Sequence, residues 1–476
     1  MTDIEKALIL AALNDEQKTE DKRKQHAYDR LEMLRDNYWM QTRERMSFYV
    51  SKDSLDILEK YINISQNVYK RFLKRLSRIY KKPPVRVFYR GGQIMDKAES
   101  TDISALYDQA RADLKMKNAN IFVNATNTIL LRPVWRDKVL NFDILTPDQV
   151  TVVTDPDDPT RMISVLVERK RLTPNGKPQR YWQVWTETEH FLRVEVGEYK
   201  TMNHGTVVNT VDEPVPGNEE MKNPYGFIPF VDIHSGNLEA EFWDGTTGQD
   251  LYIANLVTAV RNTLLDFAAV WQSFKQIAVD TDGDVPKGLT LAPDTILHVK
   301  GGATFTALDL TAAFDQIRGD LERYVRSVAQ NYGISVESFN APSQKSGVAL
   351  KIENQELQDN WTDQVDIFRD AEQRIWRMMQ KISEVEGHGV PLDVDIDVKY
   401  ASMGLADEKT ELENDQKKME LGLASPASVY MKYNDGIIDE QEAETEIRYN
   451  LKLYKELSPK TESLIMDIGM DTEIED

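Results

Sequence analysis

The chain has 476 residues, a formal net charge of −21 from 79 acidic against 58 basic side chains, and no cysteine. Its length allows about two to four domains, and the missing cysteines exclude disulfides, thiolate metal sites and cysteine nucleophiles. A surface this acidic is poorly suited to gripping a phosphate backbone, yet mild repulsion would let a nucleic acid slide past without sticking.

Residues 1–60 read as two amphipathic surface helices, with charges of both signs along EQKTEDKRKQHAYDRLEMLRDNYW. No basic leader precedes the first apolar run and no small-residue cleavage site follows it, so the expected location is the cytosol in which the chain is made. A third helix is predicted over 64–80, where Val68, Phe72, Leu76 and Ile79 recur at helical spacing, ending before Pro83 and Pro84. It carries the densest basic cluster of the chain, Lys70, Arg71, Lys74, Arg75 and Arg78, followed by Lys81 and Lys82. Such a cluster suits contact with nucleic acid or an acidic partner surface. It equally suits a solvated face, or one side of a charged contact between identical subunits.

From 85 to 233 the pattern changes to strands: VRVFYR, then after a helix over 103–116, TILLRPVW, VTVVTD, MISVLVERKRL, RYWQVWTE and FLRVEVG, separated by turn signals. A mixed body of mainly antiparallel hairpins follows, and Trp135, Trp182 and Trp185 fall in the strands, where packing accounts for them. NPYGFIPFVDIHSG then marks a joint. Beyond it come two rods, 246–276 and 312–332, about 46 and 32 Å long if fully helical. A small insertion separates them, with strand-like alternation at FKQIAV and TILHV. The most apolar stretch, 251–274, is interrupted by Asn255, Arg261, Asn262 and Asp266, so no membrane span is expected. Rods apolar on more than one face suggest packing against neighbouring copies as well as against each other.

A polar loop, 335–347, leads into the longest predicted helix, 348–385, with an apolar stripe at Leu350, Leu357, Trp361, Val365, Phe368, Ile375, Met379 and Ile382. LDVDIDVKY then reads as a strand with Asp393, Asp395 and Asp397 on one exposed face. Asp280, Asp282 and Asp284 lack the glycine and distal glutamate of a calcium loop and read as a turn. Residues 405–476 are acidic and helical, with Ser425 and Asp439 as N-caps. No P-loop, paired-glycine dinucleotide fingerprint, H-E-x-x-H helix or G-x-S-x-G elbow is present, and the six histidines are scattered singly. Strands and helices that segregate along the chain make the fold class α+β.

The order of elements resembles the portal proteins of tailed bacteriophages, the family known from long-tailed phages and prophages. The resemblance is carried by NVYKRFLKRLSRIYKKPPVRVF, by NPYGFIPFV ahead of the first rod, by the rod, tip and rod order, by KSGVALK opening the longest helix, and by the acidic helical C-terminus. It implies a homo-oligomeric ring, usually of about twelve copies, at one capsid vertex of the virion, assembled in the bacterial cytoplasm. The ring would conduct double-stranded DNA without reading its sequence, and would dock the terminase large subunit, the head-tail connector, and capsid and scaffolding proteins. No catalysis, cofactor or membrane is implied.

Residues 1–60 would be N-terminal helices, 61–243 the wing, 244–276 and 312–333 the two-helix stem, and 277–311 a small α/β clip. Residues 334–347 would form the tunnel loop, 348–404 the long wing helix and strand, and 405–476 the crown. Leu256, Val260, Leu264 and Trp271 would face neighbouring stems. Asn340, Ser343, Gln344, Lys345, Ser346 and Gly347 would line the channel, with Lys345 supplying a cationic collar. The competing readings are a metal-dependent DNA-processing enzyme using the aspartate-rich segments, or another capsid or connector ring.

Overall fold

The computed structural model describes residues 17–158, 160–173, 176, 178–196, 200–202, 205–207, 210–235, 249–273, 278–281, 297–300, 311–334, 355–401, 408–433 and 440–457. Three helices lead, α1 (Gln17–Leu34), α2 (Trp39–Ser47) and α3 (Lys52–Leu58). Asp36 turns the chain between α1 and α2 at φ 62°, a left-handed conformation that short polar side chains tolerate. The fourth helix, α4 (Val68–Leu76), is shorter than the 64–80 expected from sequence. It ends at Ser77, whose ψ of 70° leaves the helical region and whose hydroxyl donates to Asn120 O at 3.3 Å. A polar partner on a neighbouring helix therefore stops it before the prolines do, and a 3-10 turn (Ile79–Lys81) follows.

The body opens with β1 (Val85–Arg90) and β2 (Gln93–Ile94). Instead of one helix over 103–116 there are two, α5 (Lys97–Gln109) and α6 (Ala112–Thr126), separated by Arg111 at φ 50°. The strand β3 (Thr128–Arg136) then pairs with β4 (Val139–Leu145), which the sequence reading did not anticipate. Their two-residue turn, Asp137 and Lys138, has φ of 52° and 64°. Positive φ at both central residues is the type I′ geometry, and it lacks the glycine that normally betrays it. The strands β5 (Val150–Thr154), β6 (Met162–Leu172), β7 (Pro178–Thr186), β8 (His190–Glu195) and β11 (Thr210–Pro214) form an antiparallel sheet in the order β11-β8-β7-β6-β5. A short hairpin of β9 (Lys200–Met202) and β10 (Gly205–Val207) precedes β11, and β12 (Val231–His234) joins β3 and β4 in a second sheet.

Next come α7 (Gln249–Ser273), the parallel pair β13 (Ala278–Thr281) and β14 (Leu297–Lys300), α8 (Thr311–Gln330), and α9 (Gln355–Glu386). The strand β15 (Val394–Lys399) returns to pair antiparallel with β1, from Val85 opposite Lys399 to Arg90 opposite Val394. Its alternation buries Val394, Ile396 and Val398 and leaves Asp395 outside. Three helices end the described chain: α10 (Glu408–Glu420), α11 (Pro426–Tyr433) and α12 (Glu440–Leu457). Ser425 Oγ accepts from Ser428 N at 3.0 Å ahead of Pro426, a normal helix start, whereas Asp439 lies outside the described residues.

Two cores result. One gathers Phe88, Tyr107, Phe142, Phe368 and Trp376 between the sheets and α9. Trp376 Nε1 donates to Val394 O at 2.6 Å, so α9 is pinned to β15 by its own core side chain. Within this core Arg86 donates to Glu372 through Nε at 2.6 Å and Nη2 at 3.0 Å, and Tyr80 donates to the same carboxylate at 2.7 Å. The Arg86 guanidinium stacks 4.5 Å from the Tyr107 ring. Burial holds the Tyr80 phenol far above its usual range, with Glu372 adding to the effect. The other core joins α1, α4, α7, α8 and the start of α9 through Met33, Tyr69, Phe72, Leu251, Val328 and Leu357. Among the described residues no helix is long and apolar enough to cross a membrane.

Candidate functional site

The second core fixes the chain on both sides of residues 335–354. At the end of α8, Gly333 takes φ 63° and Ile334 N turns back to donate to Ala329 O at 3.0 Å, closing the helix as a C-terminal glycine does. Ile334 and, in the first turns of α9, Leu357 are both buried in that core. Tyr332 OH donates to Asp250 Oδ1 at 2.5 Å, while the same oxygen accepts from Leu251 N at 2.8 Å at the start of α7. Burial, then Asp250, pushes the Tyr332 phenol well above its usual range, so it stays a donor. Asn360 Nδ2 donates to Tyr332 O at 3.3 Å and adds α9 to the junction. Three helices thus meet at one tyrosine. Asn340, Ser343, Gln344, Lys345, Ser346 and Gly347 lie outside the described residues.

The basic helix α4 starts here too. Asn67 Oδ1 accepts from Lys70 N at 2.8 Å, and Asn255 Oδ1, from the second turn of α7, accepts from Val68 N at 2.8 Å and Tyr69 N at 3.3 Å. Two asparagines therefore satisfy three of the N–H groups a helix leaves open. In the sequence Asn255 is a break in the apolar run of α7, and an amide among apolar neighbours is the signal there of a buried cap. Tyr69, Phe72, Leu73 and Leu76 face the core, which turns the basic side chains outward. Lys70 is tied to Asp36. Burial opposes ionisation of Asp36, but Lys70 and Asn67 outweigh it and hold the carboxyl below its usual range. Burial, then Arg78, depresses Arg75. Arg71 and Lys74 are exposed and Arg78 is half-buried, and among the described residues no ion pair engages these three.

On α7 the four residues named from sequence separate. Leu256 is 7% and Val260 4% exposed within the single chain, the first against α4 and α8 and the second against Met46, Leu55 and Leu58 of α2 and α3. Leu264 is 36% exposed. Trp271 belongs to α7, but its side chain lies outside the described set.

Among the described residues no three acidic, histidine or cysteine side chains gather as a metal site. Asp393 pairs with Arg90 at 2.8 Å, Asp397 accepts from its neighbour's N–H, and Asp282 and Asp284 lie outside the described residues. His190 stacks on Trp185, His388 stacks on Trp135, and His234 bridges Asp232 and Thr128. Burial, then Arg132, lowers His190 to about 4. Burial would raise Asp232, but His234 and Arg374 overcome it and hold the carboxyl at about 2.

A family model described as phage portal protein, SPP1 Gp6-like, matches residues 94–445, which is 352 of the 476 residues. The chain belongs to that family. This portal protein therefore carries α7, α8, the segment 335–354, α9, α10 and α11 inside the matched region, while α4 lies ahead of it. No curated protein matches the chain. Among solved structures, a chain described as the neck of an empty GTA particle is 13% identical with a TM-score of 0.36, covering 75% of this chain and 85% of that one. Another, described as the virion of a native gene transfer agent particle, is 13% identical with a TM-score of 0.37, covering 84% and 99%. Likenesses this distant add nothing to the family assignment.

Proposed function

We propose that this portal protein closes into a ring of about twelve copies at one capsid vertex of a virion and conducts double-stranded DNA during packaging and ejection. The family is structural rather than enzymatic, so the work assigned to the chain is to hold a channel and to dock partners. The observation that carries the reading is the pair of anchors at Ile334 and Leu357, set in one core with the stem helices α7 and α8. A segment fixed at both ends to the channel wall can touch a passing polymer without loosening the wall.

In this reading 334–347 is the tunnel loop, and Lys345 meets phosphates one at a time. Asn340, Ser343, Gln344 and Ser346 hydrogen-bond the backbone without reading bases, and Gly347 ends the loop. Residues 244–276 and 312–333 form the stem, with Leu264 and Trp271 facing neighbouring copies. Residues 277–311 form the clip that docks the terminase large subunit and later the head-tail connector. Residues 61–243 with 348–404 form the wing towards the capsid and scaffolding proteins, and 405–476 the crown. The pairing of β15 with β1 and the packing of α9 on both supports grouping 348–404 with 61–243. Assembly takes place in the host cytoplasm, and the net charge of −21 keeps DNA from adhering.

The test is Lys345→Ala, or deletion of 343–347. Ring assembly measured by sedimentation should be unchanged, while DNA packaged or retained per particle falls. Loss of assembly in a variant that still folds would refute the division of labour between wall and loop.

A further inference from the structure

Two charged stripes lie on neighbouring helices, and among the described residues no ion pair joins them. On α9, Asp359, Asp363, Asp366 and Asp370 recur at spacings of four, three and four and are all exposed, a line about 16 Å long opposite buried Val365, Phe368 and Ala371. Asp366 and Asp370 make surface pairs with Arg369 and Arg374 of their own helix at 2.9 and 2.7 Å, and among the described residues Asp359 and Asp363 have no cation. On α4 and its exit, Arg71, Lys74 and Arg78 make the complementary line, with exposed Lys81 and Lys82 beyond it. Both helices belong to one neighbourhood: Gln364 accepts from Asn124 at 3.2 Å, and Asn124 donates to Ser77 at 2.9 Å. Even so, among the described residues no ion pair joins the stripes.

We infer that Arg71, Lys74 and Arg78 of one copy dock against the Asp359 to Asp370 line of the next, a head-to-tail contact that sets the direction of the ring. The inference rests on the ring reading and deepens it. A heterologous contact needs two different, complementary patches on every subunit, and these two fulfil that condition. DNA could satisfy the basic stripe but not the acidic one, and it would have to approach a chain of net charge −21. A second copy satisfies both. Exposed charges of this kind contribute mainly to encounter rate and register, so raising the salt concentration should slow assembly.

The chain's lack of cysteine makes the test direct. A Lys74→Cys, Asp363→Cys double variant treated with a short bis-maleimide should give a ladder of covalent multimers, while either single variant stays monomeric on a denaturing gel. A charge swap, Lys74→Glu with Asp363→Lys, should assemble at close to the unaltered rate, where each single reversal is slowed several-fold. Rings that form but give no ladder in the double variant overturn the inference and leave the ring reading standing. So does a cross-linked dimer from Lys74→Cys alone, or a Lys74→Glu variant that assembles at the normal rate but loses DNA retention. Absence of rings from the unaltered protein under assembly conditions overturns the ring reading itself.

Discussion

Leu256 and Leu264 lie two helical turns apart on α7, and aspartate at each should fail in a different way. Leu256 is 7% exposed and packs in the core with Tyr69, Phe72 and Val328. Truncating a buried leucine costs about 2–5 kcal/mol, and leaving an unpaired carboxylate there costs several more, unless the group is neutralised. The sum, roughly 5–10 kcal/mol, is comparable with the whole stability of an ordinary domain. Leu256→Asp should therefore lose the fold of the α1, α4, α7 and α8 core before assembly is at issue, and Val260→Asp should do the same against α2 and α3. Leu264, 36% exposed, should tolerate aspartate within about 0.5 kcal/mol in the single chain. If its face packs on a neighbouring stem, it should lose assembly instead. Thermal unfolding followed by circular dichroism, with sedimentation on the same samples, separates the two failures. A Leu256→Asp protein with an unaltered melting temperature would refute the intrachain packing on which this reasoning stands.

Other expectations follow from particular side chains. Glu372→Gln should cost about 3 kcal/mol in chemical denaturation, because it leaves the buried Arg86 with Asp113, 2.8 Å from Nη1, as its remaining carboxylate partner, whereas Tyr80→Phe should cost about 1 kcal/mol. Burial lowers His190 to about 4 in the folded chain, against 6.5 for a free imidazole, so the unfolded chain takes up the proton first. Its contribution is fully present above pH 6.5 and is lost as pH falls towards 4, by up to about 3 kcal/mol. His190→Gln should flatten stability against pH in that window, and Asp232, at about 2 against 3.8, acts only below it. Tyr332→Phe removes a hydrogen bond to a carboxylate and should lower stability by about 1.5–3 kcal/mol. Rings should still form, and DNA retained per particle should fall because both anchors of the 335–354 segment loosen.

Elements with a strong period were legible from sequence: the apolar stripe of α9 from Leu357 to Ile382, the alternation of β15 and the five strand runs between 128 and 196 all appear in the structure, while Leu350 lies outside the described residues. What escaped depended on partners far along the chain. Ser77 ends α4 by reaching Asn120, and Asn255 caps it from 187 positions beyond Val68. The β3–β4 hairpin hid because Asp137 and Lys138 adopt left-handed geometry without a glycine to announce it. Periodicity showed that α7 is apolar on several faces, but it could not say which faces the chain itself covers. Leu256 and Val260 proved to be covered, and Leu264 not. The loop residues were named from family resemblance alone, since a polar stretch without period carries no direction.

The ring is the central claim, and imaging of the purified protein in negative stain tests it most directly. With about twelve copies of a 54.7 kDa chain, the expected particles are rings of roughly 0.66 MDa with a central hole. A population of stable monomers or dimers under assembly conditions, without rings, would contradict it.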